Sequence, residues 1–248
     1  MQRTALLSNL TSKNSLFYLM LLLSSYLFTP TNVIAQSERG IKIKGVEFGT
    51  GLRLTSFNGS TPRVNQLSTL IDDDRLGGDF FSKLHINLGT NMIRFSPELF
   101  FVQNGEQETY QNISNVGQSL VERKIRLNYA GINLPLSIFI PFAKGAVDSG
   151  IELFGSGFAD YALDGTFTDG GGAEQPLDFG AALSNKIDWG FSAGAGIMFD
   201  GFVIRSGFDR GLNEINFITA ANAGGTTQYN VKNSGFYATL GYIGTLGN

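Results

Sequence analysis

Residues 188–211 read D-W-G-F-S-A-G-A-G-I-M-F-D-G-F-V-I-R-S-G-F-D-R-G. Trp189, Phe191, Ala193, Ala195, Ile197 and Phe199 fall on one parity, and Asp188, Gly190, Ser192, Gly194, Gly196 and Met198 on the other. Side chains at i and i+2 of a strand share a face, so one face is apolar and the other small or polar. Asp200-Gly201 supplies a two-residue hairpin turn, since positive φ is cheap for Gly and tolerated by Asp. The returning run puts Phe202, Ile204 and Phe208 against Arg205, Gly207 and Asp209. An apolar strand face is ordinary in any β protein. An opposite face of glycine and charge is not, and a small closed barrel in lipid accounts for both.

The chain has 248 residues, enough for one domain plus a processed segment. It is rich in Gly and Phe, and the alternation gives each a face. With no cysteine, thiolate metal sites, Cys nucleophiles and a lipoprotein anchor are all excluded. The formal charge of −3 leaves no basic footprint for nucleic acid, and a lone histidine, His85, excludes a multi-histidine metal site.

Residues 1–35 differ from the rest. Arg3 and Lys13 are their only charges, and 16–28 (LFYLMLLLSSYLF) is a continuous apolar run. It is shorter than the ~20 residues a membrane-spanning helix needs. Thr29-Pro30 breaks it, and Val33 and Ala35 sit at −3 and −1 before Gln36. This is the pattern of a cleaved signal peptide, 1–35, with the mature domain at 36–248. Removing the two positive charges takes the formal charge to −5. No stop-transfer helix follows, so a membrane location requires a barrel.

The same alternation recurs in strands expected at 45–55, 79–89, 92–103, 124–140, 147–163 and 232–246, making eight with the opening hairpin. Pro97 lacks the amide a ladder needs and predicts a bulge or irregularity in the third strand. The polar stretches 56–78, 104–123, 164–185 and 212–231 read as loops of about 20 residues that alternate with short turns, the rhythm of an even-stranded membrane barrel. A soluble calycin-like barrel would need the reverse parity, apolar inward. The expected fold is all-β: an eight-stranded antiparallel up-and-down transmembrane barrel.

Four motifs carry a family resemblance: P-E-L-F-F-V-Q-N-G-E at 97–106, L-N-Y-A-G-I-N-L-P-L at 127–136, D-W-G-F-S-A-G-A-G at 188–196 and R-S-G-F-D-R-G-L-N-E-I at 205–215. In this order they resemble the PorT-like outer-membrane β-barrel family of Bacteroidota, across essentially the whole mature chain. The resemblance implies an eight-stranded outer-membrane barrel. The family takes its name from a member needed for protein secretion and maturation at the cell surface.

The inward parity gathers Glu47, Arg53, Lys83, His85, Arg94, Glu98, Asp188, Arg205 and Asp209 as an expected lumenal charge network. An eight-stranded barrel has little free lumen, and charges held there must pair or stay hydrated. Two readings follow: a salt-bridged plug, or a narrow gated pore with charged rings. A lipid-hydrolysing site built on His85 would have to face the lipid, whereas His85 shares the inward parity of Lys83 and Asn87. Asp72-Asp73-Asp74 lacks the ligand spacing of a calcium loop and reads as a solvated acidic loop. Gly170-Gly171-Gly172 precedes no helix and implies no phosphate cradle. No catalytic, cofactor-binding or metal residue is assigned. The expected surroundings are the outer-membrane lipid of a Gram-negative envelope, with other envelope or secretion proteins meeting the long loops.

Overall fold

The computed structural model describes residues 41–60, 69–89, 92–114, 117–143, 149–170, 172–180, 182, 186–220 and 226–245, with side chains described at most of these. The expected signal peptide at 1–35 lies outside the described residues. In chain order the strands are β1 (Ile41–Ser60), β2 (Thr69–Leu88), β3 (Ile93–Phe95), β4 (Glu98–Ser114), β5 (Gly117–Pro141), β6 (Gly150–Asp169), β7 (Gln175–Pro176), β8 (Ile187–Phe199), β9 (Phe202–Gly211), β10 (Ile215–Ala220) and β11 (Thr226–Thr245).

Eight of them form the ring β1-β2-β4-β5-β6-β8-β9-β11, antiparallel throughout, and β11 closes on β1 from Gly45↔Thr245 to Ser60↔Asn230. Closure leaves no unpaired edge, the condition for a sheet to stand in lipid. β3 is the start of the β4 wall: both pair with β2 on one side and β5 on the other. The interruption is at Ser96-Pro97, where the sequence predicts it. The wall stays sealed there, because Leu84 N donates to Pro97 O and Ser96 N to Pro135 O, each at 2.9 Å.

The opening hairpin is β8–β9, paired from Gly190↔Gly211 to Phe199↔Phe202. Its turn has φ of +49° at Asp200 and +83° at Gly201, two positive values in succession, as a type I′ turn requires. Trp189, Phe191, Ile197, Phe199, Phe202 and Ile204 are exposed on the outside of the wall, while Asp188, Ser192, Met198, Val203 and Arg205 are buried inside. The ten-residue step from Trp189 to Phe199, at a rise of about 3.3 Å and a tilt of about 40°, covers about 25 Å. That is the height of the apolar band of a membrane barrel. Aromatic side chains mark the short-turn border, where Phe202 and Tyr242 meet edge to face at 5.1 Å.

The expected long loops are corrected. Most of 56–78 and 104–123 is strand: β1 and β2 are joined through 61–68, and β4 and β5 through 115–116 alone. Asp72, Asp73 and Asp74 lie in β2, paired with Glu108, Gln107 and Glu106, and not in a loop. The stretch 164–185 contains the end of β6 and the short β7, and 212–231 contains β10 and the start of β11.

These extensions carry opposite chemistry on the same parities. Along β5 the outward positions run Lys124, Arg126, Asn128, then Ala130, Ile132, Leu134, Leu136; the inward positions run Ile125, Leu127, Tyr129, then Gly131, Asn133, Pro135, Ser137. Outward polarity gives way to outward grease near Asn128, and inward grease gives way to inward polarity at the same level. Gln103, Asn128 and Asp164 mark that level as a hydrogen-bonded rung across β4, β5 and β6. Above it the wall stands in water like a soluble barrel; below it the wall stands in lipid.

Candidate functional site

The barrel interior is layered. At the long-loop end, Ile125, Leu127, Phe167, Leu177, Phe179, Ile215, Phe217, Tyr229 and Val231 belong to one buried apolar cluster. The segment around β7 folds into it: Leu177 N donates to Gly165 O at 2.9 Å, and Asp178 pairs with Ile218. At the short-turn end Phe139, Met198, Val203 and Ile243 form a second cluster. The Arg94 guanidinium lies 3.6 Å from the Phe139 ring centroid there. A polar interior was expected throughout; it occupies only the zone between these two clusters.

The lower polar layer is centred on Arg205. Its guanidinium donates to Glu47 Oε1, and its Nε donates to Glu152 Oε2 at 2.7 Å. All three side chains are essentially inaccessible. Glycines create these reaches. Glu152, Gly196 and Arg205 are in register across β6, β8 and β9, and a Cβ at Gly196 would meet Arg205 Cγ at 2.7 Å. On the other side a Cβ at Gly241 would meet the Glu47 carboxylate, so Glu47 crosses β11 only because that position is bare. Ser137 Oγ donates to Glu152 Oε1 at 2.8 Å.

His85 bridges Glu47 and Ser96: its Nε2 is 2.7 Å from Glu47 Oε2 and its Nδ1 is 3.1 Å from Ser96 Oγ. A carboxylate only accepts, which makes Nε2 the donor and leaves Nδ1 to face the hydroxyl. The relay of serine hydrolases has the same three groups but sets the hydroxyl on Nε2 and the carboxylate on Nδ1, the reverse of the arrangement at His85. Here Ser96 and His85 are buried, and the lumenal cavity is lined by other residues. The imidazole thus ties Glu47 to Ser96 in the buried interior.

In the upper polar layers Lys83 Nζ pairs with Glu98 Oε2 at 2.7 Å. Arg53 pairs with Asp209 and, at 3.5 Å, with Asp79 Oδ2. The Arg53 guanidinium also lies over the Tyr237 ring, 5.1 Å from its centroid. Asp188 accepts from Asn233 Nδ2 at 3.1 Å, and the same amide donates to Tyr129 Oη. The nine residues of the expected network divide among five groups in the interior. Glu47 meets both His85 and Arg205; Lys83 with Glu98, and Arg53 with Asp209, form separate pairs; Arg94 lies over the Phe139 ring; Asp188 joins Asn233.

The expected list of four bases and four acids omits Glu152, Asp79 and Asp160, all buried in the interior. The signal for them was present. Glu152 and Asp160 lie on the Phe154/Phe158 parity, and Asp79 on that of Phe81 and Lys83. Between the polar layers lies a cavity of about 40 Å³ measured to the centre of a water molecule, room for about three waters.

No family model matches this chain, and no curated protein does. Solved structures similar to it include the outer membrane protein OprG from Pseudomonas aeruginosa, at 11% identity and TM-score 0.48, over 84% of this chain and 100% of that one. Neisserial surface protein A is similar at 11% identity and TM-score 0.42, over 81% and 98%. Ail, the attachment invasion locus protein of Yersinia pestis, is similar at 12% identity and TM-score 0.37, over 81% and 99%. The closed eight-stranded ring, its lipid-facing apolar band and its paired polar interior are those of an outer-membrane β-barrel protein.

Proposed function

We propose that the protein is a non-enzymatic component of the Gram-negative outer membrane with a plugged lumen, acting through structure and protein contact. On this reading it is a PorT-like barrel, and its role is accessory to protein secretion or surface assembly. The observation that carries the proposal is the filling of the interior: an ion-paired polar zone lies between two buried apolar clusters. A solute pathway needs continuous hydrated space, and the cavity has room for only a few waters. What remains for function is the outer surface. The lower wall faces lipid, and the upper wall presents Lys124, Glu122, Arg126, Glu174, Lys232 and Glu214 in exposed ion pairs of mixed sign. These charges keep the upper wall in water, where the connections between strands can meet another envelope protein.

Planar-bilayer recording with the purified barrel tests the plug. The expected result is no steady conductance; a steady open level would establish the small-pore reading in its place. The export step has its own measurement. Intact mass of the protein taken from outer membranes should correspond to a chain that begins at Gln36, and retention of residues 1–35 would refute the cleaved signal peptide.

A further inference from the structure

The cavity is lined by four carboxylates, Asp79, Glu98, Asp160 and Asp209, by three bases, Arg53, Lys83 and Arg205, and by the amides of Asn104 and Asn233 among others. Arg53 is engaged by Asp79 and Asp209. Lys83 is engaged by Glu98, and Arg205 by Glu47 and Glu152. Asp160 and Asp188 stand directly opposite each other on β6 and β8, both buried. Among the described residues no ion pair reaches either of them. Like charges placed opposite one another across a strand pair repel, and buried charge without a counterion is costly.

A second observation is independent of this charge excess. The Oδ1 atoms of Asn104 and Asn233 have no hydrogen-bond partner within the protein, nor do those of Asp79 and Asp160. All four side chains are more than nine-tenths buried. These four buried acceptors border one small space with two unpartnered donors, Arg53 Nε and Arg205 Nη2; water can meet the donors, and the excess of acceptors is met by water or by a cation.

We propose that this cavity binds a hard metal cation of the alkali or alkaline-earth class. Carboxylate and amide oxygens are the ligands such ions take, and the cavity offers no sulfur or imidazole to favour a softer metal. No three carboxylates or imidazoles among the described residues converge as a direct cage, so the ion keeps part of its water shell, with Asp160 as the charge that fixes it. The inference stands whether or not the barrel conducts.

The test uses the full mature chain, refolded in detergent at constant ionic strength in choline chloride, sodium, potassium, magnesium or calcium chloride. At least one metal salt should raise the urea midpoint saturably above choline. Terbium present during refolding should give tyrosine-sensitised luminescence, displaced by that same metal. In Asp160→Asn, which keeps the shape of the side chain and removes the charge, terbium affinity should fall at least tenfold and the salt response should vanish. Equal midpoints in choline and every metal salt, with no sensitised luminescence from the wild-type chain, would overturn the proposal in favour of a water-filled cavity. So would an unchanged response in Asp160→Asn. If that variant does not refold, the wild-type stoichiometry decides: one displaceable terbium per barrel supports the site, and none removes it.

Discussion

Replacing Arg205 with Met should destabilise the barrel by about 3–5 kcal/mol, the cost of leaving buried partners without their counter-charge. The guanidinium is the only group among the described residues that pairs with both Glu47 and Glu152. Without it, two carboxylates remain below an upper lumen that already holds an excess of acid. Met fills most of the vacated volume over Gly196, so the loss is electrostatic rather than a cavity effect. The measurement is the urea midpoint in lipid or detergent, followed by the fluorescence of Trp189, the sole tryptophan. A triple change, Arg205→Met with Glu47→Gln and Glu152→Gln, separates the two accounts. Neutral amides can still hydrogen-bond to Ser137 and His85, so most of the lost stability should return. If the triple variant is as unstable as the single one, Arg205 matters through packing and the ion-pair account is wrong.

This triad shows what the sequence holds and what it conceals. The inward position of Arg205 and Glu47 follows from parity alone, since a period of two has only two faces to offer. Which acid meets which base does not. Arg205 reaches Glu152 over Gly196 and Glu47 past Gly241, and both routes depend on the register of three or four strands. Asp160 was legible on the parity of Phe154 and Phe158, but the strand beyond it was not. The register of β5 against β6 shifts where Tyr129 pairs with Ala162 and Asn128 with Asp164. The extra residue, Leu163, blurs the alternation around it.

The ends of the strands were concealed by a different effect. Polar runs such as 104–123 read as loops, because the lipid-facing pattern of apolar outward stops there. In water the same wall needs the opposite pattern. Ile125 and Leu127 turn inward and Lys124 and Arg126 outward, without any change of backbone. A strand that passes from lipid into water keeps its pleat and exchanges its chemistry, so hydropathy marks the border of the lipid and not the end of the strand. The type I′ turn at Asp200-Gly201 and the interruption at Pro97 were legible because both rest on local backbone rules.

That border makes the second large prediction, along the outward face of β5. Arg in place of Ile132 or Leu134 should cost about 2–4 kcal/mol, the price of a cation near the middle of the apolar band. The same Arg at Asn128 should cost no more than about 1 kcal/mol, because Asn128 sits in the polar rung with Gln103 and Asp164. All three positions are outward and lie within one strand, so strand propensity and register are held constant. Only depth varies. Reversible unfolding in bilayers gives the three values directly. A soluble barrel would show no such gradient, since an added outward Arg meets water at every level. Equal, small costs at Asn128, Ile132 and Leu134 would therefore remove the lipid band from this wall, whereas a steep rise across the three positions places the membrane surface at the Asn128 rung.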